Sequence, residues 1–399
     1  MKKAALLLAA LLVVTSAISA CKSTPDSSPT PEPTTAPAIA WEKTFGGAGD
    51  DLGAYVSPTS DGGYIITGAT SPSGTEAGRD LWLIKTDASG NQMWEKTYGG
   101  ESEDVGITVL QTPDGGYIIA GMTASLGGAP DIWLIWLIKT DTDGNKVWDK
   151  TFGGTRVAIT NSMIIAPDDG YIITGATSLD FGKSSDAFMI KTDSRGNELW
   201  SCTYGGTEYD HVWSAQPTSD GGYILVGGTD SFGHGDVWLV KTDGDGNELW
   251  NKAYEGNSDD YGFMVDPIDD GGYILAGAGS PGTNKRDLWL IKTDADGNMI
   301  WDKSYGGAED DELTAACRTH DGGYILAGIT PASAGGKDAL LVRTDAEGNK
   351  IWEKTLGGTG DDNPTCSVFQ TEDGDYIIIG YTNSSGAGGN DAWLVKLSH

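Results

Sequence analysis

Residues 80–100 read DLWLIKTDASGNQMWEKTYGG and contain the elements that decide the fold. Two runs rich in aliphatic and aromatic residues, 80–86 and 92–98, flank an Asp-x-x-Gly-Asn segment, and this arrangement predicts two β-strands joined by a tight turn. Residues 53–59 and 63–70 form a similar pair around an Asp-Gly-Gly turn, in which glycine supplies the positive φ of a hairpin. We label these four predicted strands A, B, C and D in chain order.

The same unit recurs seven times along the chain. A tryptophan in strand D marks each copy: Trp41, Trp94, Trp148, Trp200, Trp250, Trp301 and Trp352. A tyrosine follows each Asp-Gly-Gly-type turn: Tyr64, Tyr117, Tyr171, Tyr223, Tyr273, Tyr324 and Tyr376. An aspartate opens each predicted strand C: Asp80, Asp131, Asp186, Asp236, Asp287, Asp338 and Asp391. Four-stranded units at a spacing of about 50 residues are typical of β-propeller blades.

The two ends of the repeat predict how the ring closes. The last unit stops after strand C, and residues 41–47 form a lone strand D with no strand before it. The chain is therefore predicted to be an all-β, seven-bladed propeller of four-stranded antiparallel blades, closed by an N-terminal strand that completes the last blade. The recurring tryptophans are expected to pack between blades, with carbohydrate stacking as the alternative.

The segment before the repeats predicts an extracytoplasmic address. Lys2 and Lys3 precede an apolar run too short to span a bilayer, and residues 18–21 (ISAC) resemble the lipobox of bacterial lipoproteins. Residues 1–20 are thus interpreted as a signal peptide, and Cys21 as a lipidated anchor, with a non-lipidated secretory signal as the alternative. Residues 21–39 form a Ser/Thr/Pro-rich linker, and 40–399 the propeller. Lys22 after the cysteine favours the outer membrane in a Gram-negative cell.

Composition limits the classes of partner. The chain has 26 basic and 57 acidic residues, a net charge of −31, which opposes binding to nucleic acid and favours cations or cationic partners. Cys202, Cys317 and Cys366 occupy non-equivalent positions and imply no disulfide framework. The four histidines lack metal-ligand spacing, and no nucleophile elbow occurs, so catalysis has little support.

The expected binding surface is the face that carries the D–A and B–C loops, because these loops vary between units while the A–B and C–D turns are uniform. A ring of aspartates on this face is a candidate site for a cation or cationic ligand: Asp51, Asp104, Asp210, Asp260, Asp311 and Asp362, with Ala158 in the seventh position. The alternative is that each of these acids caps backbone N–H groups of its own turn. The aspartates that open strand C are interpreted as structural.

Two units depart from the pattern. Residues 131–139 read DIWLIWLIK, and this duplication of Trp-Leu-Ile would invert the side-chain faces of the strand unless a bulge absorbs one residue. The third unit lacks, at residues 153–156, the acids that its counterparts carry.

The segment 292–301 (KTDADGNMIW) resembles the repeat of pyrroloquinoline-quinone-type, or quinoprotein-like, propellers, and the whole unit resembles secreted bacterial and archaeal β-propeller proteins. The resemblance implies the fold. Quinoprotein enzymes have eight blades, an adjacent cysteine pair and a calcium–cofactor site, and seven blades without such a pair predict no quinone cofactor here. The Asp141-Thr-Asp143-Gly-Asn145 turns leave calcium as an alternative, although half of an EF-hand loop is missing.

These observations predict a tethered, monomeric, non-catalytic binding or scaffold module that engages a protein or a glycan through its loop-rich, acidic face. The alternatives are a polysaccharide-active hydrolase or lyase that uses carboxylates at the channel mouth, and an envelope assembly factor.

Overall fold

The computed structural model describes residues 34–71, 78–127, 132–153, 157–178, 184–256, 260–279, 281, 285–332 and 335–398. Within them, 28 β-strands form seven four-stranded sheets, and every pairing is antiparallel. The described residues include no helix long and apolar enough to cross a membrane.

The strands follow one another through the blades in chain order. The N-terminal strand is β1 (Ala38–Phe45). Blade 1 contains β2 (Leu52–Pro58), β3 (Tyr64–Thr70), β4 (Asp80–Thr86) and β5 (Gln92–Tyr98). Blade 2 contains β6 (Asp104–Gln111), β7 (Tyr117–Thr123), β8 (Leu134–Thr140) and β9 (Lys146–Phe152). Blade 3 contains β10 (Val157–Ile165), β11 (Tyr171–Ser178), β12 (Asp186–Thr192) and β13 (Glu198–Tyr204).

Blade 4 contains β14 (Asp210–Pro217), β15 (Tyr223–Thr229), β16 (Asp236–Thr242) and β17 (Glu248–Tyr254). Blade 5 contains β18 (Tyr261–Pro267), β19 (Tyr273–Gly279), β20 (Asp287–Thr293) and β21 (Met299–Tyr305). Blade 6 contains β22 (Glu312–Arg318), β23 (Tyr324–Pro331), β24 (Lys337–Thr344) and β25 (Lys350–Leu356). Blade 7 contains β26 (Asp362–Gln370), β27 (Tyr376–Thr382) and β28 (Asp391–Ser398), together with β1.

The first strand of each blade is the innermost one. Strands β2, β6, β10, β14, β18, β22 and β26 each contact the first strands of both neighbouring blades, and β26 contacts β2. The seven blades therefore form a closed ring around a central axis, with the D strands on the outside. The prediction of a seven-bladed propeller is confirmed.

The N-terminal strand closes the ring. Strand β1 pairs with β28 from Ala38 opposite Ser398 to Phe45 opposite Ala392. It begins three residues earlier than the predicted 41–47 and ends two residues earlier, at Phe45, because the next residue, Gly46, has a φ of 144° that turns the chain away from the sheet. Pro37, just before the strand, is buried.

The hydrophobic core lies between the blades. The second and third strands of every blade are buried over most of their length, which explains their near-continuous apolar runs. The outer strands alternate between exposed and partly buried positions, as expected for a sheet edge with one face in water. Residues of adjacent blades join into shared clusters, for example Leu81 of blade 1 with Ile118 of blade 2.

The duplicated Trp-Leu-Ile segment is accommodated without a bulge in the B–C pairing, contrary to one of the two outcomes predicted for it. Strand β8 pairs with β7 in continuous register, and Trp136 takes the place of Trp82 in blade 1. The extra residues lengthen the B–C loop instead, because a loop accepts three residues at little cost whereas a strand would turn its apolar face outward. Leu134, not Asp131, therefore opens strand C of blade 2 opposite Thr123, and Asp131 lies outside the described residues.

Candidate functional site

The recurring tryptophans pack between blades. The Trp94 ring lies 5.9 Å from the Tyr117 ring of the next blade, and five equivalent pairs have centroid distances of 5.7 to 6.5 Å. A glycine of the next C–D turn sits on the same indole: a methyl group placed on Gly144 would lie 2.8 Å from the Trp94 ring. Blade 7 has no C–D turn, and Ala36 instead packs against the cluster that contains the buried Trp352. These contacts favour the packing interpretation over carbohydrate stacking.

The tyrosine that ends strand D links blades by a hydrogen bond. The Tyr204, Tyr254 and Tyr305 hydroxyls donate to glycine carbonyls in the next C–D turn at 2.7, 2.7 and 2.5 Å. Leu356 takes this position where blade 7 offers no such turn.

A lysine or arginine in strand C and the aspartate of the Asp-Gly-Gly turn form a recurring ion pair on the opposite face. Lys85 contacts Asp61 at 3.0 Å, Lys139 contacts Asp114 at 2.9 Å, and Arg343 contacts Asp321 at 2.5 Å. Hydrogen bonds from the Thr112 hydroxyl and, less strongly, from Lys139 lower the pKa of Asp114 to about 2 although burial opposes them. The charged residues that recur on this face are therefore used to hold the turns in place.

All six aspartates of the predicted ring lie at the ends of the D–A loops, and all are buried. Each accepts a hydrogen bond from the second glycine of its own Gly-Gly-type turn, as between Gly47 N–H and Asp51 Oδ2 at 2.7 Å. The other five bonds measure 2.6 to 3.0 Å: Gly100 to Asp104, Gly206 to Asp210, Gly256 to Asp260, Gly307 to Asp311 and Gly358 to Asp362.

Hydroxyl groups at the start of the neighbouring B–C loop donate further hydrogen bonds to these aspartates. The Thr70 hydroxyl donates to Asp51 at 2.5 Å, and Ser231 donates to Asp210 at 2.5 Å. Each acid therefore caps its own turn, as in the alternative interpretation, and the binding of a cation or cationic ligand by these acids stays a prediction. Within the described residues, no three His, Cys, Asp or Glu side chains are grouped so as to hold a metal ion.

Four of the aspartates that open strand C lie beside the ring acid of the next blade: Asp80, Asp287, Asp338 and Asp391. Asp391 accepts a hydrogen bond from Ala387 N–H at 2.8 Å, which ties the B–C loop to the strand. Burial and, beyond it, the nearby Asp51 charge raise the pKa of Asp391. The same two causes raise the pKa of Asp80 beside Asp104. Their structural role was predicted, but the pairing of two acids was not.

Blade 4 carries the exposed aromatic residues of the loop-rich face, which sequence reasoning missed. Tyr209 is 39% exposed and Phe232 is 46% exposed. Phe232 stacks on Trp238 with centroids 5.7 Å apart, and the Glu208 N–H donates to the Ser231 hydroxyl at 3.0 Å, so both loops are held in place. The signal was present: Tyr209 occupies the position of Asp50, Glu103, Asp310 and Asp361 in other units.

A second departure from the repeat lies on the innermost strands of blades 4 and 5. His211 packs with its ring 5.3 Å from that of Trp213 and 5.4 Å from that of Tyr261, and Trp213 lies 5.6 Å from Phe263. Desolvation lowers the pKa of His211 to about 4, although the Asp210 charge opposes it. The imidazole is therefore neutral across the physiological range.

A third departure, Asp266, lies at the other end of the innermost strand of blade 5. Burial raises its pKa to about 6, although Arg318 at 3.8 Å and the Tyr324 hydroxyl at 3.3 Å both act to lower it. The charge of Asp269, in the adjacent turn, adds to the rise in the pKa of Asp266. This face carries the uniform turns and is opposite the aromatic residues of blade 4.

Two cysteines occupy non-equivalent positions in their blades: Cys202 is partly buried on an outer strand, and Cys317 is buried on an innermost one.

Comparison with known proteins supports the fold and gives one distant relative by sequence. No family model matches the chain. The regulatory protein FlaEY of Caulobacter vibrioides is 25% identical over 218 residues, which cover 49% of this chain and 22% of that protein. The chain thus spans about a fifth of the length of this curated relative.

Two solved structures are similar in fold. The Pan2 WD40 domain of Neurospora crassa aligns with a TM-score of 0.52 and 10% identity, over 87% of this chain and 89% of that one. An ulvan lyase of polysaccharide lyase family PL25 aligns with a TM-score of 0.54 and 10% identity, over 88% and 96%. At this identity the likeness concerns the fold alone.

Proposed function

We propose that the chain is a non-catalytic binding or scaffold module that engages a partner through its loop-rich face, centred on blade 4. The observation that carries this proposal is that the recurring side chains have structural contacts, whereas two large side chains that do not recur are exposed. The recurring Trp, Tyr, Lys and Asp side chains are engaged in contacts within and between blades, whereas Tyr209 and Phe232 break the repeat and face solvent. Large exposed aromatic residues on a rigid frame are typical of recognition surfaces.

The charge of this surface favours a protein with a basic patch. The exposed acids Glu208, Asp230 and Glu255 belong to the loops around the two aromatic residues, and the net charge is −31. Basic surfaces are attracted to such a field, and aromatic side chains also form favourable cation–π contacts with Lys and Arg. A glycan is the second outcome of the test, because Tyr and Phe rings also stack on sugars.

The direction of β1 supports an outward-facing site. As a D strand, β1 begins on the turn-rich face and ends on the loop-rich face. If Cys21 anchors the chain to a membrane, as proposed from the sequence, the linker joins the propeller on the turn-rich face. The loop-rich face is then directed away from the membrane, where a partner has access.

The two alternative functions receive less support. The likeness to the ulvan lyase concerns the fold, and the carboxylates of the loop-rich face are occupied as turn caps. The name of the FlaEY relative refers to regulation, which is compatible with a binding role. The following experiment can still show that the protein is a polysaccharide-active enzyme or an envelope assembly factor.

The test compares the protein with a double variant, Tyr209→Asp/Phe232→Ser, which gives blade 4 the residues that stand at Asp50 and Ser385 in other units. The immobilised proteins are exposed to envelope extract and to a glycan array. We expect a basic protein to be retained by the wild type and weakened at least about tenfold by the double variant.

The control is Leu249→Ser, which removes a 58% exposed apolar side chain from the outer strand of the same blade. It should leave binding unchanged. Equal retention by wild type and double variant would contradict the proposal. Retention of a glycan alone, or turnover of that glycan, would replace it with one of the alternatives.

A further inference from the structure

Carboxyl groups lie in pairs at the blade junctions of the loop-rich face. A methyl group placed on Gly99 would lie 2.0 Å from Asp80 Oδ1 and 2.7 Å from Asp104 Oδ2. The same position on Gly46 lies 2.4 Å from Asp391 Oδ1 and 2.6 Å from Asp51 Oδ2. On Gly306 the distances are 2.3 Å to Asp287 and 2.5 Å to Asp311. The strand-opening acid of one blade thus faces the loop acid of the next across a glycine.

The two members of each pair have different partners. The loop acids accept hydrogen bonds from N–H and hydroxyl groups, such as Gly100 at 3.0 Å and Ser125 at 2.6 Å for Asp104. The Oδ1 atoms of the strand-opening acids Asp80, Asp287 and Asp338 are buried and accept no hydrogen bond, and the same is true of the Oδ1 atoms of the loop acids Asp104 and Asp311, which accept through Oδ2. A buried carboxylate oxygen without a donor is costly, whereas a protonated one could itself donate to the facing carboxylate.

The chain also contains one junction in which both acids are absent. Leu134 and Ala158 take the two positions between blades 2 and 3, and they lie 3.7 and 3.6 Å from the equivalent point on Gly153. At the other six junctions both positions hold aspartate: Asp51 with Asp391, Asp104 with Asp80, Asp210 with Asp186, Asp260 with Asp236, Asp311 with Asp287, and Asp362 with Asp338. The two sites thus change together, which indicates that the loop acid also interacts with the strand-opening acid, in addition to capping its own turn.

We propose that four of these pairs, Asp80/Asp104, Asp287/Asp311, Asp338/Asp362 and Asp391/Asp51, each hold one proton between their carboxyl groups. The strand-opening acid carries the proton and donates it to the loop carboxylate, which links adjacent blades. When the pH rises, the proton leaves to solvent, two negative charges face each other, and the junction is weakened.

The electrostatic environment agrees with this assignment. Burial, followed by the partner acid, raises the pKa of Asp80, Asp287 and Asp338, and Asp310 adds to the effect on Asp287. The neighbouring basic side chains are paired with acids of the loop rim: Arg79 with Glu103 and Lys285 with Glu309, both at 3.3 Å.

The sign of the pH dependence follows from the direction of the shift. A raised pKa in the folded state means that folding takes up protons between the unfolded value, about 3.9, and the raised value. The stabilisation is complete below that window and is lost as the pH rises through it. The Asp-Gly-Gly acids, such as Asp114, behave oppositely, because their lowered pKa makes them lose stabilisation as the pH falls. Measurements are therefore made between pH 5 and pH 7.5.

The test follows thermal unfolding of the full chain, with Asp80→Asn and Asp104→Asn as matched variants. We expect Tm of the wild type to fall by about 5 °C from pH 5 to pH 7.5. An amide at position 80 donates at every pH, so Asp80→Asn should raise Tm at pH 7.5 by about 2 °C and reduce the pH dependence. Asp104→Asn replaces the charged acceptor of Gly100 and Ser125 by a neutral amide oxygen, which accepts more weakly, and Tm should fall at both pH values.

Infrared spectroscopy provides a second readout, which compares the wild type with Asp80→Leu/Asp104→Ala, a copy of the Leu134/Ala158 junction. The C=O band of a carboxylic acid should be weaker in the variant at pH 6, whereas the contribution of Asp266, whose pKa is about 6, is the same in both spectra. An equal band in the two proteins, or an unchanged pH dependence in Asp80→Asn, would overturn the proposal. Calcium that raises Tm at pH 7.5 and abolishes the pH dependence would show that the pairs bind a cation instead. The experiment requires no partner and is independent of the binding test.

Discussion

Individual glycines determine how closely the blades approach. Gly144 has a φ of 75° and lies against the Trp94 ring of the preceding blade, so it combines a left-handed backbone with a contact that excludes a side chain. Gly62 has a similar φ of 83°, but a methyl group there would meet nothing within 4 Å. Substitutions at the two positions can therefore distinguish the loss of stability caused by backbone strain from the loss caused by displacing the tryptophan ring.

We expect Gly144→Ala to lower the free energy of unfolding by about 3 kcal/mol, from strain and from displacement of the indole. Gly62→Ala should cost only about 1 kcal/mol, because strain alone applies. Chemical denaturation of the two variants measures both values. Equal losses would mean that the contact between Gly144 and Trp94 contributes nothing to the blade junction.

At the scale of elements, the duplicated Trp-Leu-Ile segment shows that register is set by the apolar pattern of the strand. Strand β8 takes the second copy, so that Trp136 occupies the position of Trp82, and the B–C loop takes the surplus. The duplication is visible in the sequence, and either copy of Trp-Leu-Ile could have formed the strand. The register observed is the one that places Leu134 against Ala158 of the next blade. That match is a contact between blades, which one strand alone cannot reveal.

Deletion of residues 133–135 tests this account, because it recreates the strand of blade 1 with Asp131 in the opening position. We expect the β-rich circular dichroism spectrum to be retained. We also expect Tm to fall by about 2 °C, because Asp131 would face Ala158 without an acid partner. Adding Ala158→Asp to the deletion should restore Tm at pH 5. A deletion variant that loses its cooperative transition would contradict the loop assignment.

At the scale of the whole molecule, the fold was predictable because the repeat and its two incomplete ends determine blade number and closure. All ends of the four strands of blade 1 were predicted to within one residue, and both ends of strands β4 and β5 were predicted without error. The acids of the predicted ring were placed on the correct face, but their hydrogen bonds to their own turns depend on coordinates that spacing does not give. The pairs of carboxyl groups at the blade junctions and the exposure of Tyr209 could not be predicted either, because both depend on how segments far apart in the sequence lie together.

The closed ring is also what presents blade 4 as a rigid surface. The innermost strands contact one another all the way round, and the loops of each blade bond to the next, as when Asp51 N–H donates to Asn390 O at 2.7 Å. In this arrangement β1 is the one strand that joins the two ends of the chain. A propeller that opens there would lose the shared core around Trp352 and Phe45.

The most direct test of the closed ring removes β1 and supplies it again in trans. A chain that begins at Gly46 is compared with the full chain by thermal unfolding, alone and with a synthetic peptide of residues 34–45. We expect the shortened chain to unfold at least about 10 °C lower, and the peptide to restore Tm, whereas a peptide with Trp41→Ala and Phe45→Ala should not. A shortened chain with the Tm of the full chain would contradict closure by β1.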